Sequence, residues 1–239
     1  MLTVYGEGRG FRVVWLLEEL GVAYRLRPVD LLDVENDPEF LAINPAGFIP
    51  ALQDGETIMV ESIAILEYLL ARHGPSPLAV APDDPAFAAY LQFLHLGEAG
   101  LAGPMNAVFV GRALAPEAER NARVTSWALE TFHSRLGLVI QRLANRPFLV
   151  GDQFTAADIS VSYALLLGLR TSNYTPGSVE LAYLARTTTR PAYARAMEIC
   201  QTRTSCIAAL ARKFISYGLW CALAAVAPPQ SEPGLARSP

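Results

Sequence analysis

The sequence predicts an α/β plus all-α protein: an α/β N-terminal domain followed by an all-helical C-terminal domain. Three observations carry that expectation. Residues 1–74 alternate strand and helix patterns, residues 74–85 hold prolines at 75, 77, 82 and 85, and from there to about residue 214 helical periodicity dominates with no strand pattern of useful length. With 239 residues, 52% of them hydrophobic, the chain can bury a full core without disulfides or a metal.

Leu2 to Tyr5 reads as extended, Phe11 to Leu20 as an amphipathic helix ending at Gly21, and Ala23 to Val29 alternates again. Strand, helix and strand joined this tightly imply a parallel βαβ unit. A short helix over Pro38 to Ile43 leads to the loop NPAGFIP, after which Ala51 to Gln53 and Thr57 to Val60 flank Asp54-Gly55, a hairpin signal. Ser62 stands at an N-cap position before the stripe Ile63, Leu66, Leu69 and Leu70, and that helix closes at Gly74. The expected domains are 1–76 and 84–226. The clearest helical stripe in the second is Leu129, Phe132, Leu136, Val139, Ile140 and Leu143, ending before Pro147. Residues 227–239, rich in Pro and Ser, are expected to be a disordered tail.

Composition excludes several function classes. The longest charge-free apolar stretch, Phe214 to Ala227, is interrupted by Ser216 and Gly218 and falls short of the ~20 residues of a membrane span, so it is expected to pack onto the helical domain. Met1 passes directly into Leu2 and Val4 with no leader pattern, which reads as cytoplasmic. Cys200, Cys206 and Cys221 suit a reducing compartment. Residues 1–80 hold 5 basic and 12 acidic residues and the remainder is mildly basic, so there is no continuous basic face for nucleic acid. His73, His95 and His133 lack ligand spacing, and no metal site is expected.

Four segments, NPAGFIPAL (Asn44 to Leu52), VESIAILEYL (Val60 to Leu69), VVWLLEELG (Val13 to Gly21) and FTAADIS (Phe154 to Ser160), together resemble the glutathione transferase family of the cytosolic, bacterial type. The resemblance implies a thioredoxin-like N-terminal domain that binds glutathione as co-substrate and no tightly bound cofactor. It also implies a helical domain that shapes a pocket for a small hydrophobic electrophile, a homodimer and a detoxification role.

The resemblance also gives roles to residues. A cis Ile49-Pro50 bond would expose backbone groups to the cysteinyl part of glutathione, Ser62 at a helix N-terminus would hold the γ-glutamyl carboxylate, and Glu61 its ammonium group. Phe48 occupies a loop position where relatives often carry Lys or Gln for the glycyl carboxylate. Lys213 is the only lysine, so Arg9 and Arg12 are the substitutes. Thr155 and Asp158 fit a capping box, for which a structural role is expected. The resemblance places His95, Glu98 and Met105 in the second-substrate pocket, although His95 equally suits a structural hydrogen bond.

Family members lower the pKa of the glutathione thiol, since the thiolate attacks. Gly8 and Gly10 stand where many relatives carry Ser or Cys. The remaining groups are the Gly10 and Phe11 amides with Arg12, and second the Tyr5 phenol. No cysteine precedes Cys200, which argues against thiol transfer through a protein thiol. Conjugation is the leading reading. A non-catalytic ligand-binding or interaction protein, and a glutathione-dependent peroxidase or isomerase, are the alternatives.

Overall fold

A computed structural model of the protein describes residues 1–201 apart from 32, 121–122 and 173. The expectations for the apolar stretch after Phe214, for Cys206 and Cys221 and for the tail 227–239 lie outside the described residues.

The N-terminal half is a four-stranded sheet in the order β2-β1-β3-β4, formed by β1 (Leu2–Tyr5), β2 (Arg25–Arg27), β3 (Ala51–Asp54) and β4 (Thr57–Val60). β1 and β2 are parallel, with Val4 opposite Leu26; β3 runs antiparallel to both β1 and β4. The hairpin turn is Gly55-Glu56, one residue later than the Asp-Gly pair suggested, because Asp54 still pairs with Thr57 and Gly55 supplies the positive φ of 62°. β2 is shorter than the alternation over Ala23 to Val29 implied.

Pleating separates the two faces of the sheet. Leu2 and Val4 join the large core beneath α1 (Phe11–Leu20) and α3 (Ser62–Arg72), whereas Tyr5 packs on the opposite face with Val29, Phe40, Ile49 and Ala51, against α2 (Pro38–Ile43). Asp37 caps α2 by accepting from the Phe40 N–H at 3.0 Å, and Arg27 grips the same carboxylate. The sequence pattern of α1 is amphipathic, yet Phe11 to Leu17 are buried on every side. The outer face is covered by the helical domain: Trp15 meets Tyr193 edge-on at 4.9 Å, and Arg190 and Arg195 pair with Glu19 and Glu18.

The helical half comprises α4 (Phe87–His95), α5 (Gly103–Phe109), α6 (Arg123–Leu143), α7 (Ala156–Thr171), α8 (Ser178–Thr188) and α9 (Pro191–Gln201). One π-helical stretch, Leu96–Ala102, joins α4 to α5, and a second, Val110–Leu114, extends the chain beyond α5. The first lies hard against α7: a side chain at Gly97 would meet Ser160 Oγ at 2.3 Å. Ser160 in turn donates to the Leu94 carbonyl at 2.8 Å. This contact fixes where the next residue, Glu98, emerges. The architecture is the thioredoxin-like domain plus helical domain that the sequence suggested.

The capping box at the start of α7 is present. Asp158 is fully buried and accepts from the Thr155 N–H at 2.8 Å, the Leu149 N–H at 3.0 Å and the Tyr183 hydroxyl at 3.0 Å. Asp158→Ala would strand three buried donors, so the expected cost is ~2 kcal/mol or more, read as a lower Tm in thermal unfolding. Burial, opposed by those hydrogen bonds, pushes the Asp158 carboxyl up to about 6. A folded-state value above the unfolded ~3.9 means the folded chain holds the proton more tightly, so this group's contribution is complete below pH ~4 and is lost as pH rises to about 6. The stability difference between wild type and Asp158→Asn should fall across that window in a pH series of melting curves. A difference that grows with pH would contradict it.

Candidate functional site

A cavity of about 250 Å³ at the domain junction is lined by Arg9, Phe48, Ile49, Pro50, Glu61, Ser62 and Asn106. Six of these are residues the resemblance gives to glutathione; Arg12, the other candidate for the glycyl carboxylate, does not line it. Asn106, on α5, was not anticipated; its only signal is a lone amide in an apolar stretch. A larger, more open cleft of about 470 Å³ between the end of α6 and α8 contains none of the candidate residues and lies away from the junction.

Three backbone segments build the cavity. The Asn44 amide donates to the Phe48 carbonyl at 2.7 Å, while its oxygen accepts from the Ala46 N–H at 3.2 Å, so one buried side chain shapes the loop that presents Phe48 and Ile49. The Ile49-Pro50 bond is cis, and among the described residues the Ile49 N–H and C=O have no hydrogen-bond partner. Glu61 is the one non-glycine residue with a positive φ among the described residues, at 73°. A conformation of this kind costs ~1–3 kcal/mol and persists where surrounding structure enforces it.

Glu61, not Ser62, occupies the N-cap position of α3, and Ser62 is the first helical residue. The Ser62 hydroxyl is not used for capping because it accepts from Arg12 Nη1 at 2.8 Å. Arg12 is fully buried. Its Nη1 also donates to Glu98, whose other carboxylate oxygen accepts from Arg9. The guanidinium carbon sits 4.0 Å from the centroid of the Tyr163 ring. Burial pulls Arg12 down to about 9, so it remains charged at neutral pH.

Other candidates fall elsewhere. The Tyr5 hydroxyl donates to Gln53 Oε1 at 2.9 Å on the sheet face away from α1 and does not line the cavity. The Phe11 N–H is taken by the Gly8 carbonyl at 3.2 Å, and the Phe11 side chain is buried against Trp15 and Tyr193. Of the three residues assigned to a second-substrate pocket, Met105 is fully buried in the core and His95 is exposed on the surface beside Glu67 at 3.5 Å. Neither lines the cavity: His95, the last residue of α4, is exposed while its neighbours Phe93 and Leu94 are buried, and Met105 on α5 points into the core. Only Glu98 reaches the site, as the partner of two arginines rather than as an apolar wall. Cys200 is buried on α9, and burial pushes its thiol up to about 12.

Gly10 accounts for the missing hydroxyl or thiol. A Cβ there would lie 1.9 Å from the Gly6 carbonyl oxygen, so the turn into α1 closes only over glycine.

The chain is similar to proteins of one family. Residues 1–71 match the family model described as glutathione S-transferase, N-terminal domain. Glutathione S-transferase 3 of Zea mays is 32% identical over 168 residues, spanning 66% of this chain and 72% of the relative. Among solved structures, the theta class glutathione S-transferase from Xanthomonas axonopodis pv. citri, with glutathione bound, is 31% identical over 82% of this chain and 96% of that one, at a TM-score of 0.70. Glutathione transferase URE2P6 from Phanerochaete chrysosporium, in complex with oxidized glutathione, is 25% identical over 85% and 97%, at 0.73. The chain belongs to the glutathione S-transferase family.

Gly10→Ser, which restores a hydroxyl at this position, should cost ~2 kcal/mol or more through the clash with Gly6 and lower Tm by ~4–8 °C. An unchanged Tm in differential scanning calorimetry would contradict the close approach.

Proposed function

We propose that the protein is a glutathione transferase that binds glutathione in the Arg9–Ser62 cavity and activates its thiol for attack on a small hydrophobic electrophile. The observation that carries this reading is the convergence of Arg9, Phe48, Ile49, Pro50, Glu61 and Ser62 on one cavity.

In this reading the γ-glutamyl carboxylate lies at the N-terminus of α3, accepting from the Ser62 hydroxyl, with Glu61 beside the ammonium group. The Ile49 N–H and C=O pair with the cysteinyl residue as a short antiparallel ladder. Glutathione so oriented directs its thiol towards the start of α1. The phenol of Tyr5 is engaged with Gln53, and Arg12 is fully buried behind Ser62 and does not line the cavity, whereas Arg9, although paired with Glu98, does. The groups left to favour the thiolate are therefore the α1 dipole, Gly10 included, and the Arg9 charge at the cavity wall. This moves the activating cation from Arg12 to Arg9.

The electrophile would enter beside Phe48 and along the helix that carries Asn106. Val110, one turn beyond Asn106, and Leu114 are exposed large hydrophobics, which supports an apolar second substrate. Domain spans of 1–76 and 84–226, a homodimer and a cytoplasmic setting complete the proposal; the cysteine usage supports the last.

The test is the ultraviolet absorbance of protein-bound glutathione thiolate against pH. The wild type should lower the thiol pKa by about two units, Arg9→Gln should return about one of them, and Tyr5→Phe should return none. Saturated glutathione with an unshifted thiol would replace this reading with a binding module that has lost thiol activation.

A further inference from the structure

Arg12 receives an unusual form of support. Only Nη1 of its guanidinium is hydrogen-bonded, to Ser62 and Glu98, while Nε and Nη2 are buried with no hydrogen-bond partner among the described residues. Hydrogen bonds therefore hold the guanidinium at one end only, leaving the Nε and Nη2 side without a polar partner. The Tyr163 ring face, 4.0 Å from the guanidinium carbon, is what faces the group. Tyr163 comes from α7 in the helical domain, is itself buried, and stacks on Phe11 at 6.5 Å with 25° between the rings. Its hydroxyl makes no hydrogen bond among the described residues, so the ring rather than the phenol is what Arg12 uses.

We propose that Tyr163 is a positioning residue for the anion end of the cavity. Its π face stabilises the buried Arg12 cation in place, and Arg12 then occupies a lone pair of Ser62 Oγ. A serine hydroxyl has one proton and two acceptor positions, so with an acceptor position filled from behind by a cation, the proton turns to the cavity and donates to a carboxylate there. The helical domain thereby sets the affinity of a serine that belongs to the sheet domain. The inference rests on the glutathione reading of the cavity.

The test separates ring electronics from ring volume. Tyr163 is replaced by Phe, and then by phenylalanines of increasing fluorination, which weakens the π face at nearly constant shape. Glutathione Kd is measured by calorimetry, and kcat and KM are measured with a chloronitrobenzene. Tyr163→Phe should bind within about twofold of wild type. Kd and KM for glutathione should climb stepwise along the fluorinated series to about tenfold, with kcat at saturating glutathione and Tm nearly constant. In a Ser62→Ala background the series should be flat, since the ring then has no hydroxyl to orient. A flat series in the wild-type background, or an equal climb in the Ser62→Ala background, would overturn the proposal.

If the wild type takes up no glutathione at all, the cavity reading has failed. Tyr163 is then judged on the Arg12 guanidinium protons in nuclear magnetic resonance spectra of the ligand-free chain. Sharp, ring-shifted signals that broaden with fluorination support the positioning role, and signals indifferent to it overturn that role.

Discussion

A fully buried arginine in the first turn of α1 is the constraint on which the rest of this molecule depends. Taking a guanidinium out of water is costly unless its surroundings return the lost interactions. Here they come from three elements: the Ser62 hydroxyl at the start of α3, the Glu98 carboxylate from a π-helical turn, and the Tyr163 ring from α7. Two of the three belong to the helical domain. Removing one partner of a buried pair typically costs ~3–5 kcal/mol because the other charge is left uncompensated. The two domains are therefore tied together at the point where the ligand cavity opens.

The charges around the cavity are arranged in two parts. Arg9 and Arg12 contribute two positive charges and Glu98 one negative, all within hydrogen-bond reach. Glu61 at the cavity wall brings the local sum to zero, so the proposed ligand is matched end to end, its carboxylate beside the arginines and the α3 terminus and its ammonium group beside Glu61. Placement of Glu98 depends in turn on Gly97, whose lack of a side chain lets the π-helical turn lie against Ser160. At the far end of α1, the pairs Glu19–Arg190 and Glu18–Arg195 clamp α9 over the same helix. The first helix is held at both ends by the second domain.

Much of this was legible in the residues. The strand and helix order, the 38–43 helix and the capping box at Thr155 and Asp158 follow from local patterns that tertiary packing does not override. The glutathione-contact set converged because its members lie on three short loops tied to that order. The missed features are those decided across the domain junction. The sequence makes Arg12 a cation for the ligand, and its burial behind Ser62 follows only from α7 covering it. Tyr163 looks like ordinary core. Asn106, Glu98 and Met105 depend on how a π-helical turn rotates the chain after α4, and His95 faces outward from α4 itself, away from the buried Phe93 and Leu94. Tyr5 is kept from the role its strand position suggests by the pleat, which puts it on the sheet face opposite α1. Gly10 shows its steric role only once Gly6 is in place against it.

The central claim is that Ser62, held from behind by Arg12, recognises a carboxylate. Its most direct test is calorimetric comparison of glutathione with its analogue in which the γ-glutamyl α-carboxylate is converted to the amide. The wild type should prefer glutathione by about tenfold or more, as expected for a charge-assisted hydrogen bond, and Ser62→Ala should lose most of that preference. Equal binding of the two ligands by the wild type would contradict the account.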